Sequence, residues 1–144
     1  MVKILGLSKA LITKFITEAN NSGGEEACAV LVGSSGNFSA VVEDIRIIKN
    51  ISDNKLVGFM MDPGEFLNSV MDTNLFSADW KTSYLGIIHS HYYDRPYPSI
   101  TDWYGAVNGL YHGPYLIYSV KYDQTLGFYW NGNEFLKMEL LLEK

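Results

Sequence analysis

The spacing of apolar residues in the first half of the chain predicts helices and strands in alternation. A first helix is predicted by four apolar residues at helical spacing: Leu7, Leu11, Phe15 and Ala19. Ser8 stands where such a helix takes its N-cap. Apolar runs of strand length follow at residues 26–33 and 38–49, and a shorter one lies near 57–60. Asp62 and Pro63 then predict the start of a second helix, with Asp as the cap and Pro at the first helical position.

The second half of the chain continues this alternation. Residues 84–91 form an apolar, strand-like run, and Pro96 and Pro98 indicate a loop after it. A third helical stripe follows, formed by Trp103, Ala106, Val107 and Leu110. Three closing strands are predicted near 115–121, 126–131 and 134–142. The pattern predicts an α/β (α+β-like) fold, with a single domain over residues 1–144 and a mixed central β-sheet flanked by helices.

Composition and charge argue against several classes of function. The chain has 144 residues and a formal net charge of -5, without the basic clustering expected of a nucleic-acid surface. Lys9 and Lys14 interrupt the apolar N-terminal stretch too soon for a signal peptide core or a membrane span. We therefore expect a cytoplasmic protein with no nucleic-acid or membrane partner. The single cysteine, Cys28, allows neither an internal disulfide nor a cysteine-rich structural zinc site.

His89-Ser90-His91 is the segment with the clearest chemical content. Alternate residues of a strand face the same side, so His89 and His91 would point together at one metal ion. Asp102, in the first turn of the following helix, would add a carboxylate. Two imidazoles and a carboxylate can hold zinc and leave one coordination position open, which is the ligand count of a catalytic site.

A structural interpretation of the same residues has to be weighed against the metal site. Ser99-x-x-Asp102 before a helical stripe is also a capping-box pattern, with Asp in place of Glu, and it needs no metal. Ser99 could both cap the helix and serve the site. A lone histidine is usually a structural residue, but two on one strand face with a downstream carboxylate favour a metal site.

A zinc hydrolase also needs a base that takes a proton from water and returns it to the leaving group. Glu25 and Glu26 both stand at the head of the apolar strand over residues 26–33, and spacing alone does not choose between them. Cys28, surrounded by Ala and Val, is predicted to be a buried core residue and not a nucleophile.

Together these residues resemble the signature of the JAMM (MPN+) metalloproteases. The similar pattern consists of Glu26 ahead of a strand ending at Gly33, His89-Ser90-His91, Ser99 and Asp102. Weaker similarity to the compact prokaryotic branch of that family extends from about residue 3 to residue 143. One departure is Tyr92, which stands where many members have proline after the second histidine. Because proline fixes the backbone but ligates nothing, this change concerns the path of the loop more than the chemistry.

The resemblance implies a fold, a cofactor and a role for each residue. The implied fold is the MPN/JAMM fold, which resembles a cytidine deaminase-like architecture. The implied cofactor is Zn²⁺, held by His89, His91 and Asp102. From the acidic pair the resemblance selects Glu26 as general acid/base, and it implies that Ser99 helps to stabilise the oxyanion.

The resemblance also implies a substrate class. JAMM enzymes generally cut after the C-terminal Gly-Gly of ubiquitin or a ubiquitin-like protein, and the compact prokaryotic branch is associated with sulfur-carrier and conjugated modifier proteins. The expected function is therefore a zinc-dependent peptidase or isopeptidase that hydrolyses the amide bond after such a tail. The main alternative is a non-catalytic MPN-type interaction scaffold. A zinc deaminase is a weaker alternative, because its H-x-E and P-C-x-x-C pattern is absent.

Overall fold

The structure, a computed structural model, describes residues 2–73, 82–109, 111 and 113–143. Within these residues it contains seven strands and three helices. The strands are β1 (Ile4–Ser8), β2 (Cys28–Ser35), β3 (Ser39–Ile48), β4 (Ser83–His91), β5 (Tyr115–Ser119), β6 (Gln124–Trp130) and β7 (Phe135–Glu143). The helices are α1 (Lys9–Asn20), α2 (Pro63–Val70) and α3 (Ile100–Val107).

All seven strands belong to one mixed sheet. Their order is β1-β3-β2-β4-β5-β6-β7, and β7 pairs with β1, so the sheet closes into a barrel. Strand β1 is parallel to both of its neighbours and β4 is parallel to β5, whereas the remaining pairs are antiparallel. The predicted mixed sheet is confirmed. Its closure was not predicted, because the apolar spacing assigned Leu7 to the first helix, whereas Leu7 lies in β1.

Two helix starts form as their cap residues predict. The Ser8 hydroxyl accepts a hydrogen bond from Leu11 N at 3.2 Å at the start of α1. The Asp62 carboxylate accepts one from Glu65 N at 2.9 Å, and α2 begins at the following proline. These bonds satisfy N–H groups that the first turn of a helix leaves unpaired. Among the described residues, no helix is long and apolar enough to cross a membrane.

The strand predicted over residues 57–60 is wrong. Met61 makes only an isolated bridge to Asn50, and residues 57–60 belong to no strand. Two main-chain groups here bond to the Asn50 side chain, which accepts from Met60 N and donates to Gly58 O, while the Met60 carbonyl accepts from Ile51 N. A side chain therefore makes part of the hydrogen bonding that a neighbouring strand would supply. Leu110, which the sequence placed on the third helix, lies outside the described residues.

The two faces of β2 contribute to two apolar clusters. Ala29 and Leu31 join the cluster that includes α1, whereas Cys28 and Val30 join the one that includes residues of α2 and α3. On the neighbouring strand β4, Ile87 belongs to this second cluster. Because alternate residues of a strand share a face, His89 and His91 project to the side where α2 and α3 pack.

Candidate metal centre

The end of β4 supplies two buried imidazoles. His89 is fully buried, and His91 is 4% exposed. Their ring centroids lie 5.1 Å apart, as expected for alternate residues on one strand face. Strand β5 pairs alongside, and Val120 N beyond its end donates to the His91 carbonyl at 2.9 Å. The ligand-bearing end of β4 is therefore held by β2 on one side and by β5 and the residue after it on the other.

The first turn of α3 places Asp102 against both imidazoles. Asp102 Oδ1 lies 3.1 Å from His89 Nε2, and Asp102 Oδ2 lies 3.3 Å from His91 Nε2. Ser99 N donates to Asp102 Oδ2 at 2.8 Å, while Asp102 N donates to Ser99 Oγ at 3.2 Å. The capping box is thus present. The capping box does not exclude a metal site, because one carboxylate has enough lone pairs to accept the Ser99 N–H and also to bind a metal ion.

Glu26 completes the cluster from the segment just before β2. Its side chain is 5% exposed, whereas the neighbouring Glu25 is exposed. One potential ligand atom from each of Glu26, His89, His91 and Asp102 lies within 4.8 Å of the others. The structure therefore brings together the three predicted ligands and the predicted base. It also distinguishes Glu26, which is buried in the cluster, from Glu25, which is exposed; spacing alone did not choose between them.

The loop after His91 keeps a defined path although Tyr92 replaces the proline of the family pattern. Lys121 N donates to the Tyr92 carbonyl at 3.0 Å, and Ser119 Oγ donates to the Asp94 carbonyl at 2.7 Å. Both donors lie at or just beyond the end of β5. Hydrogen bonds to the carbonyls of Tyr92 and Asp94 thus hold the loop where proline would have restricted it.

This loop also orients the His91 ring. His91 Nδ1 lies 2.9 Å from the Arg95 carbonyl, which can only accept a hydrogen bond. Nδ1 therefore donates, and in the neutral ring Nε2 carries the lone pair that faces Asp102. A metal-binding histidine usually donates the N–H of its non-coordinating nitrogen to a carbonyl, a carboxylate or water.

Within the cluster, the pKa values of Asp102 and His91 are shifted in opposite directions. Burial raises the pKa of Asp102, but His89, His91 and the Ser99 N–H hold it well below its ordinary value. Burial lowers the pKa of His91, but its bonds to Asp102 and the Arg95 carbonyl raise it overall to about 9. A cation at these atoms has to displace the His91 proton, so its affinity increases with pH.

The pKa of Glu26 is shifted towards neutral pH by the surroundings of its side chain. Burial raises the pKa of Glu26 to about 7, and the nearby His89 and His91 oppose this only in part. A carboxyl group that titrates near pH 7 can accept a proton and return it under neutral conditions. In the metal-free protein the side chain is therefore a stronger base than an exposed glutamate.

Unpaired polar atoms show that the cluster fits zinc. Among the described residues, the buried side-chain atoms without a hydrogen-bond partner are Glu26 Oε1, His89 Nδ1 and His89 Nε2. His89 Nε2 lies close to Asp102 Oδ1 but without hydrogen-bond geometry. Buried polar atoms normally find partners, and imidazole nitrogens with carboxylate oxygens are zinc-type ligands. His89, His91 and Asp102 would hold the ion, with Glu26 beside it.

A cavity next to the cluster was not predicted from the sequence. It has a volume of about 260 Å³ and is lined by Asp102 and by apolar and aromatic residues that include Phe59, Met60 and Tyr104. The Phe59 ring stacks on His89 with 4.5 Å between centroids. Phe59 was not predicted as a site residue, because residues 57–60 were assigned to a short strand. Tyr93, at 67% exposure, projects into solvent and does not line this cavity.

Cys28 lies beneath the cluster in the apolar core, as predicted. Its side chain is fully buried, and Sγ donates to the Ile48 carbonyl at 3.4 Å. Burial, together with the charges of Glu26 and Glu65, raises the pKa of the thiol to about 12. The thiolate is the reactive form of cysteine, so Cys28 is unsuited to nucleophilic catalysis.

The raised pKa of Glu26 predicts a pH-dependent gain in stability for Glu26→Gln in metal-free protein. An acid whose folded pKa exceeds its unfolded value loses folding stability as pH rises between the two values, here from about 4.5 to about 7. We expect the free energy of unfolding of Glu26→Gln to exceed that of wild type by about 2–3 kcal/mol at pH 8 and to differ little from it at pH 5. Urea unfolding with chelator at both pH values measures this. Glu25→Gln, at the exposed neighbour, is the control; parallel pH dependence in wild type and Glu26→Gln would contradict the prediction.

Sequence comparison identifies the family that this fold and cluster define. Residues 8–130 match a family described as prokaryotic homologs of the JAB domain. Because the match covers most of the chain, the protein belongs to this prokaryotic JAB/MPN family. No curated protein matches the chain.

Two solved structures resemble the whole fold. One is a protein from Desulfitobacterium hafniense, with 25% identity and a TM-score of 0.79, covering 97% of this chain and 93% of that chain. The other is a JAB1/MPN domain protein from Archaeoglobus fulgidus, with 16% identity and a TM-score of 0.57, covering 94% of this chain and 98% of that chain. The second likeness shows the fold alone, and it agrees with the family assignment.

Proposed function

We propose that this protein is a zinc-dependent peptidase or isopeptidase. The observation that carries the proposal is the buried cluster of Glu26, His89, His91 and Asp102, whose potential ligand atoms lie within 4.8 Å of one another. Membership of the JAB/MPN family supports the same reaction class. His89, His91 and Asp102 would hold the ion, which would act as a Lewis acid that lowers the pKa of water and polarises the carbonyl of an amide.

Glu26 carries the proton in this proposal. Its Oε1 atom has no hydrogen-bond partner among the described residues, and burial raises the pKa of the carboxyl group in the metal-free protein, which makes the carboxylate a stronger base towards water. The protonated side chain then delivers that proton to the leaving amine. No covalent bond to the protein forms, which agrees with a Cys28 thiol that stays protonated in the core.

Ser99 stabilises the developing negative charge on the substrate. Its hydroxyl accepts the Asp102 N–H in the capping box, and this leaves the hydroxyl proton free to be donated. The capping bonds hold Ser99 beside Asp102, so that donor is oriented before the substrate arrives. A preorganised donor of this kind is the usual means of stabilising an oxyanion.

The proposed substrate is a ubiquitin-like or sulfur-carrier protein with a C-terminal Gly-Gly tail, extended by a peptide or joined to a lysine. Family membership supports this class. The cavity that adjoins Asp102, walled by Phe59, Met60 and Tyr104, provides a place for an extended chain beside the cluster. An extended tail can be held by main-chain hydrogen bonds, with side-chain size limiting which residues pass.

The test is cleavage of such a carrier, extended beyond its Gly-Gly tail through a peptide bond in one substrate and a lysine isopeptide bond in another. We expect zinc-loaded protein to cleave at least one of them and chelator to abolish the cleavage. A matched carrier with a bulky residue in place of the penultimate glycine should not be cut. Full cleavage of that carrier would exclude a glycine-selective groove, and no cleavage of either substrate by stoichiometrically loaded protein would overturn the proposed substrate class.

A further inference from the structure

Glu26 lies outside the sheet that holds His89 and His91. Strand β2 begins two residues later, at Cys28, so no strand pairing fixes the Glu26 main chain. Its N–H instead donates to the Lys55 carbonyl at 2.7 Å, and its carbonyl accepts from Asn50 Nδ2 at 2.8 Å. Both contacts come from residues 50–60, which we call the 50–60 loop. The main chain of the proposed proton carrier is therefore held by a loop.

Asn50 organises that loop through a single side chain. It is 9% exposed, and its Nδ2 donates to the carbonyls of Glu26 and Gly58, while its Oδ1 accepts from Ser52 N and Met60 N. Two donors face two carbonyls and the oxygen faces two N–H groups, so the orientation of the amide is unambiguous. Asn50 thus makes the two hydrogen bonds that its NH₂ group can donate and two that its oxygen can accept.

The same loop forms part of the wall beside the histidines. Phe59 stacks on His89, and Met60 lines the cavity next to Asp102. Asn50 thus connects the carbonyl of Glu26 on one side with the segment that packs on a ligand ring on the other. Loss of this amide would break the bond between the Glu26 carbonyl and that segment.

A second contact anchors the residue after Glu26 from β4. Ser90 Oγ accepts from Ala27 N at 2.8 Å, and Ser90 N donates to the Ala27 carbonyl at 3.0 Å. The Ala27 N–H belongs to the same planar peptide unit as the Glu26 carbonyl, so Ser90 and Asn50 hold this unit from its two sides. The N–H and the carbonyl of Glu26 itself both bond to the 50–60 loop.

We propose that Asn50 is a positioning residue, outside the metal ligands, that sets the place of Glu26 by tying its carbonyl to the 50–60 loop. The inference rests on the proposed function for its catalytic consequence only. Because Asn50 touches no proposed ligand, zinc stoichiometry does not depend on it. Because Glu26 acts in proton transfer, a displaced Glu26 lowers kcat more than it changes KM.

The experiment compares Asn50→Ala and Asn50→Asp with Asn131→Ala. Asp keeps the oxygen that accepts from Ser52 N and Met60 N but removes the donor to the carbonyls of Glu26 and Gly58. Asn131 is the matched control: it is exposed, and its Oδ1 accepts from the N–H groups of Asn133 and Glu134 at 2.8 Å, so it orders a turn without touching Glu26. Zinc content, kcat, KM and residue-resolved amide hydrogen exchange are measured for each variant.

We expect kcat to fall about 10- to 100-fold in both Asn50 variants, with zinc content unchanged and KM within about twofold. The Glu26 amide should exchange at least about tenfold faster in both, whereas the Met60 amide should lose protection in Asn50→Ala and keep it in Asn50→Asp. If Asn50→Ala does not fold, the isosteric Asn50→Asp supplies the same comparison.

Unchanged protection of the Glu26 amide in a folded Asn50 variant would overturn the inference, as would a wild-type kcat in that variant. If wild-type protein cleaves no substrate, the proposed function fails, and the exchange pattern alone decides whether Asn50 positions Glu26. A loss of activity equal in Asn131→Ala and the Asn50 variants would also overturn it, because the effect would then not depend on the contact with Glu26.

Discussion

Replacing Glu26 by glutamine is expected to lower kcat about a thousandfold while zinc remains bound, since a positioned acid–base group contributes roughly 10²- to 10⁴-fold. Glutamine has nearly the same shape as the glutamate that lies 5% exposed beside the histidines, but it cannot take a proton from water. His89, His91 and Asp102 are unchanged, so the proposed ligands stay in place. Zinc content by metal analysis and turnover on the cleaved carrier are measured on the same samples.

Glu25→Gln is the matched control for this substitution. It makes the same chemical change one residue earlier, on a side chain that is exposed. We expect this variant to have wild-type turnover. Normal cleavage by Glu26→Gln would move the base elsewhere, and loss of zinc from Glu26→Gln would show that Glu26 is a ligand and not only a proton carrier.

The geometry of the three proposed ligands could be predicted from the sequence because it is set locally. Strand period places His89 and His91 on one face, and a capping pattern places Asp102 in the first turn of a helix. The strand and the helix are joined by a short loop, so little long-range information is needed. The structure confirms this local geometry, while the chemical roles of Glu26 and Ser99 stay predictions.

The position of Glu26 could not be predicted from spacing, because it depends on contacts distant in the chain. Glu25 and Glu26 are equivalent in the pattern, and the family resemblance was needed to choose between them. In the structure the choice follows from burial and from bonds to Asn50 and Lys55, which lie more than twenty residues further along. The spacing of residues along the sequence does not indicate that the Asn50 side chain makes hydrogen bonds that a neighbouring strand would otherwise make.

Barrel closure was missed for a related reason. Residues Ile4–Ser8 form a short strand directly before α1, and Leu7 fits the apolar spacing of either element. Its assignment is decided by pairing with β3 and β7, which are far away in sequence. Short apolar segments remain ambiguous until such pairings are known.

The second large effect is expected for Asp102→Asn, which should abolish zinc-dependent stabilisation and cleavage together. Asp102 lies within 3.3 Å of both imidazole Nε2 atoms, and asparagine keeps its shape but removes the negative charge that a dication needs. A ligand at 1,000 times its dissociation constant stabilises a folded protein by about 4 kcal/mol. Thermal unfolding with zinc and with chelator should therefore differ strongly in wild type and little in Asp102→Asn.

Two variants separate metal binding from helix capping in this experiment. Ser99→Ala removes the capping acceptor and should cost about 1 kcal/mol, yet retain the stabilisation by zinc. Asp62→Asn changes the acidic cap of α2, which is not part of the cluster, and should also retain it. An equal zinc response in wild type and Asp102→Asn would place the ion elsewhere. The absence of any response in wild type would favour the non-catalytic MPN-type scaffold, because the family fold would then persist without the chemistry.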